Sequence, residues 1–142
     1  MDFSSINWLA VVVAAVAFFV LGALWYGPFF GKIWQRGVGL SDDEMKSANM
    51  GKLFGSAFIM AILISVGMAI FFFGFVAEPG CEMEMTVSAG AMYGLMTGIF
   101  FLLPSISMNY LFARKGVALM LIDSGYHVVA YTLVGLILAA WQ

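Results

Sequence analysis

Four apolar runs organise the chain, at residues 6–26, 53–77, 87–113 and 117–141. Each is about 20 residues or longer, the length at which an α-helix crosses a hydrocarbon core about 30 Å thick. The second and third polar breaks between them are short. The pattern predicts an all-α, polytopic membrane protein: an antiparallel bundle of four transmembrane helices, with residues 1–142 as a single membrane domain. The first run reads as a retained helix. A signal peptide needs a basic n-region, and this chain begins Met-Asp-Phe-Ser-Ser.

The breaks carry their own signals. Trp25-Tyr26-Gly27-Pro28 closes the first run, because Trp and Tyr favour the headgroup level and Pro disfavours a helix interior. Phe29, Phe30, Lys32, Trp34 and Arg36 read as a segment lying along the interface. Ser41-Asp42-Asp43-Glu44 fits a capping box, predicting a short helix over about 42–49 in the first loop. The three acids could also hold a metal, but capping accounts for them more simply. The second break, residues 78–85, is acidic. Cys81, Met83 and Met85 could bind a soft metal there, while Pro79-Gly80 favours an ordinary turn. In the third run Gly90, Gly94 and Gly98 recur every four residues, a glycine zipper suited to close helix packing. Further along the same run, Pro104 predicts a kink.

Composition agrees with this pattern. The 142 residues are 63% hydrophobic and 10% charged, with a mean hydropathy of +1.02. Soluble domains are about half apolar and about a quarter charged. The single cysteine rules out an intrachain disulfide and any cysteine-rich metal site, and Asp123 with His127 does not supply three metal ligands. No cofactor is expected. There is no phosphate-binding loop for a nucleotide, and six basic residues make no groove for nucleic acid.

Those six basic residues segregate. Lys32, Arg36, Lys46 and Lys52 lie in the first break, Arg114 and Lys115 in the third. The positive-inside rule puts both breaks in the cytoplasm and both termini outside. Trp8 and Trp141 then anchor the outer interface, and Trp25, Tyr26 and Trp34 the inner one. A cytoplasmic (inner) membrane with both termini outside fits this arrangement.

The chemistry concentrates in the fourth run. Asp123 and His127 sit where an ionisable group costs on the order of 3 kcal/mol. Their i, i+4 spacing puts them on one helix face, which Tyr131 extends. At 1.5 Å per residue Asp123 lies about 12 Å from Lys115, and His127 about 18 Å. Ser105 and Asn109 of the third run come to a matching depth. The expected polar seam is therefore Asp123, His127, Asn109, Ser105 and Tyr131. It would either handle protons, ions or a small solute, or only fix helix packing. No catalytic residue is expected, because Asp-Ser-Gly-Tyr-His lacks the setting of a nucleophile elbow.

Several segments together resemble a known family. Leu21-Gly-Ala-Leu-Trp-Tyr-Gly-Pro, Phe30-Gly-Lys-Ile-Trp, Asn49-Met-Gly, Asn109-Tyr-Leu-Phe and Leu121-Ile-Asp-Ser-Gly-Tyr-His are similar to the domain-of-unknown-function family 1761, small bacterial membrane proteins. The resemblance covers nearly the whole chain. It implies a four-span membrane protein and supplies no activity or catalytic residue. It departs at Asp123, where members often carry Asn, which makes the same hydrogen bonds without charge and weighs against proton carrying.

The pattern leaves two readings of function and a weaker third. The first is a homo-oligomeric bundle whose seam handles protons, ions or a small solute. The second is a structural or accessory protein. The third is an intramembrane lipid-modifying enzyme. In all of them the bilayer is the partner.

Overall fold

A computed structural model describes residues 3–74 and 85–141. The expectations for Cys81 and Met83 and for the turn at Pro79-Gly80 fall outside those residues. α1 (Trp8–Leu24) starts at Asn7, whose side-chain oxygen accepts from the backbone N–H groups of Leu9 and Ala10. The Asn7 amide also donates to the Trp141 carbonyl at 2.7 Å, and Ser5 donates to the Phe73 carbonyl at 2.8 Å. Three helix ends are thereby joined at one end of the molecule.

α1 does not stop at Tyr26. A wide, π-helical turn, Trp25–Phe29, continues it through Pro28. The Phe30 N–H reaches the Trp25 carbonyl at 2.9 Å, an i to i+5 bond that spans the donor-less proline. α2 (Gly31–Val38) comes next and ends on Gly39, whose φ of 84° is the left-handed conformation glycine supplies at helix ends. α3 (Asp42–Ser47) has the expected capping box with both bonds made. The Ser41 backbone N–H and hydroxyl hold the Glu44 carboxyl below the usual carboxylate range. The first loop thus contains two short helices.

α4 (Met50–Phe73) begins three residues before the second apolar run, because Asn49 caps it through the Lys52 N–H at 3.0 Å. α5 (Val87–Thr97) is capped by Thr86. It passes into a second wide turn, Gly98–Leu102, and then α6 (Leu103–Phe112), with Pro104 in its first turn. Pro104 follows closely on this wide turn. Arg114, at φ 53°, reverses the chain into α7 (Val117–Ala140).

The four stretches Trp8–Phe29, Met50–Phe73, Val87–Phe112 and Val117–Ala140 are each long and apolar enough to cross a membrane. Large apolar side chains such as Leu9, Phe101 and Phe112 are exposed around the outside, where lipid meets them. The buried faces are rich in small residues: Ala10, Ala14 and Ala15 on α1, Ala61 and Ala69 on α4, Ala130 on α7. Small residues let helices approach in lipid, where association rests on packing. α7 packs against α1, α2, α5 and α6, while α4 packs mainly on α1. The spans therefore run α4, α1, α7, α5–α6 around the bundle, with a cleft between α4 and α5.

Candidate functional site

Asp123 lies on α7 between the two wide turns. It is 8% exposed. The Tyr110 hydroxyl of α6 donates to its Oδ2. Its Oδ1 is buried and has no hydrogen-bond partner among the described residues. The Tyr26 phenol, from the first wide turn, lies beside the same carboxyl without completing a hydrogen bond to that oxygen.

Aromatic rings build the surroundings. The Trp25 indole N–H donates to the Ile122 carbonyl at 3.1 Å and the ring packs on Phe30 at 4.8 Å. The Tyr126 hydroxyl donates to the Phe18 carbonyl at 3.1 Å. Its ring meets Tyr26 at 5.2 Å and His127 at 5.0 Å. These contacts fasten α1 to α7 at the level of the carboxyl. Trp25 and Tyr26, expected only as interfacial anchors, are here part of the site. Tyr26 also packs on Trp34 at 5.5 Å, while Trp8 and Trp141 are about half exposed at the other end.

His127 does not meet the Asp123 carboxyl. Its Nδ1 lies 2.9 Å from the Asp123 backbone carbonyl. A carbonyl only accepts, so Nδ1 carries the proton, and in the neutral ring Nε2 is the acceptor. Tyr131 extends the face, 6.5 Å from His127 and 6.2 Å from Phe18, ring to ring.

Ser105 and Asn109 have exposed side chains, and neither hydrogen-bonds Asp123. The second wide turn accounts for the change. On an unbroken α-helix, positions 98, 105 and 109 share a face, and Gly98 faces α7. The turn adds a residue and rotates the downstream helix α6 by roughly 100°. Position 110 takes the place of 109, and 106 that of 105. Tyr110, missed from the sequence, stands one residue from the expected Asn109, at the right depth.

The glycines Gly90, Gly94 and Gly98 all face α7. A Cβ on Gly98 would come 2.7 Å from the Val128 Cα, and one on Gly94 would come 2.8 Å from the Tyr131 carbonyl carbon. A Cβ on Gly90 would strike Gly135 and Ala139. All three lie where α5 and the turn after it come close to α7.

The model of the DUF1761 family, described as a protein of unknown function, matches residues 9–139. The chain belongs to the DUF1761 family. Comparison with curated proteins and with solved structures gives no match. Four spans of this length and hydropathy make this DUF1761 member a multi-pass integral membrane protein in contact with the lipid bilayer. The match takes in both wide turns and the whole Asp123 site. It brings no assigned chemistry, so function is argued from the site itself.

A lone carboxylate with phenols and one imidazole is a poor transition-metal site, because such metals take three or four strong protein ligands. The arrangement can bind and pass a proton. It can also simply hold α6 against α7.

Proposed function

We propose that Asp123, with Tyr110, Tyr26 and His127, is a proton- or small-cation-handling site in a membrane bundle that works as a homo-oligomer. The observation that supports this reading is the Asp123 Oδ1, buried without a partner among the described residues. An unpaired acceptor in a hydrocarbon environment costs several kcal/mol. A carboxyl is tolerated there when a proton or cation completes it. Lys52 lies in the first turn of α4 and the other Lys and Arg side chains in the breaks between the spans, and the carboxyl has no ion pair with any of them among the described residues, so the completing charge would come from outside the chain. The ring-to-ring packing of Tyr26, Tyr126 and His127 favours a small species over an organic solute. His127 and Tyr131 continue the polar line deeper, and four spans leave little room for a pathway of their own, so copies of the chain would assemble to form one.

The segregation of Lys and Arg supports a bacterial cytoplasmic membrane with both termini outside, which puts Asp123 in the cytoplasmic half of the bilayer.

The test is proton flux into vesicles holding a pH-sensitive dye, driven by a potassium diffusion potential. The parent should change the luminal pH faster than empty vesicles do. Asp123→Asn should fold with unchanged thermal stability and carry no flux. A variant that conducts like the parent, or a parent no better than empty vesicles, overturns the proposal. The packing reading would then stand. Its support is that Tyr110–Asp123 joins α6 to α7 much as Trp25–Ile122 and Tyr126–Phe18 join α1 to α7, and those two bonds involve no charge.

A further inference from the structure

On the cleft side of the molecule, α4 faces α5, the second wide turn and α7 across an apolar groove of about 340 Å³. Its walls include Met68, Phe71 and Phe72 of α4, Phe101 of the wide turn and Tyr131 of α7. Phe71 and Phe101 are 68% and 69% exposed at its mouth. All of these residues belong to membrane spans, so the groove opens sideways into the hydrocarbon and fills from the bilayer. No charged residue lines it, which excludes a lipid headgroup and calls for a neutral occupant. Three phenylalanine rings at the walls suit a flat ring, since aromatic pairs gain beyond the area they bury.

One polar feature narrows the choice. The Tyr131 hydroxyl makes no hydrogen bond to another described residue, although Tyr131 is half-buried at the groove. It lies ten residues from Trp141, about 15 Å below that end of α7. At that depth an acyl chain offers nothing to a hydroxyl. The other hydroxyl at the groove, Thr97, donates to the Tyr93 carbonyl at 2.7 Å, so Tyr131 is the available donor. The occupant should bring a hydrogen-bond acceptor on a flat ring, carried by a hydrocarbon tail.

We propose that the groove between α4 and α5 binds an isoprenoid quinone from the bilayer, with the ring against Phe71, Phe72 and Phe101 and a ring carbonyl accepting from the Tyr131 hydroxyl. The proposal concerns binding and stands whether or not Asp123 carries protons. The volume holds the ring and the first part of the tail, within the range of ligand pockets, roughly 300–1,000 Å³.

Gly67 makes the test clean. It lines the groove, and a Cβ there would meet no atom within 4 Å. Gly67→Leu therefore fills the groove without straining the fold. The experiment measures binding of radiolabelled decylubiquinone to the protein in phosphatidylcholine nanodiscs, against empty discs. The parent should bind it saturably, and Gly67→Leu should abolish that binding. Tyr131→Phe should weaken it by roughly fivefold to tenfold, the worth of one neutral hydrogen bond. Decylbenzene, with ring and tail but no acceptor, should bind less tightly than the quinone. No saturable excess over empty discs, or full binding to Gly67→Leu, would overturn the proposal. Equal affinity for decylbenzene would show a groove that takes hydrocarbon alone. Dimers cross-linked through Gly67→Cys, in a Cys81→Ser background, would show a second copy seated there instead. Either result sinks the quinone site.

Discussion

The Tyr110 hydroxyl donates to the Asp123 carboxyl at Oδ2, while Oδ1 has no partner among the described residues. Removing that hydroxyl leaves both carboxyl oxygens short of partners in a buried place. Tyr110→Phe should destabilise the protein by about 1 kcal/mol, the scale measured for polar contacts between membrane helices. The check is a double-mutant cycle with Asp123→Leu, which removes the acceptor, read from unfolding in mixed micelles. The two changes should be coupled, each costing less in the presence of the other. Strict additivity would show that the phenol and the carboxyl act independently. Tyr110→Phe also separates roles, because a proton site depends on the carboxyl itself and a helix fastener depends on the bond.

Among the elements, α5 and α7 are in closest contact. A Cβ on Gly94 would come 2.9 Å from the Thr132 Cα as well as against Tyr131. These are backbone atoms of a packed helix and have no side-chain freedom with which to yield. Gly94→Ala should cost about 3 kcal/mol, the upper part of the range for overpacking. Gly67→Ala, whose Cβ meets open space, should be neutral or slightly stabilising because Ala is the better helix former. Thermal unfolding of the two variants checks the contrast. The spans were legible in the sequence because hydrocarbon demands long apolar helices, and the capping box was legible because Ser41 and Glu44 act locally. The face that α6 presents was not legible. Depth depends on rise per residue, which a wide turn barely changes, while direction depends on a rotation of roughly 100° per residue. One extra residue at Gly98–Leu102 therefore preserved the depth of the seam and replaced Asn109 with Tyr110. Pro104 pointed to an irregularity but not to its hand or size. His127 departs from expectation for a different reason: the i, i+4 spacing that brings it under Asp123 also brings it under the Asp123 carbonyl, and the carbonyl took the bond.

Orientation in the bilayer is a property of the whole molecule. Asn7 and Trp141 meet at one end, away from the first and third loops and the start of α4, which hold every Lys and Arg. The proposed arrangement places that end outside, together with the acidic second loop. An impermeant maleimide should then label Cys81 in intact spheroplasts. Labelling that required permeabilised membranes would invert the topology and move Asp123 to the outer half. The central place of α7 has a consequence for how the protein is made. It is the last of the four spans to leave the ribosome. Before it arrives, α1 and α4 can pair, but α5 and α6 have no surface to dock on, and the bare glycine face of α5 meets only lipid. Insertion of the first three spans can therefore precede assembly around α7, in keeping with helices that insert first and associate afterwards. A nascent chain interrupted before residue 117 would sit in the membrane correctly threaded and half built, with its most adhesive surface open to whatever small-residue helix drifts past.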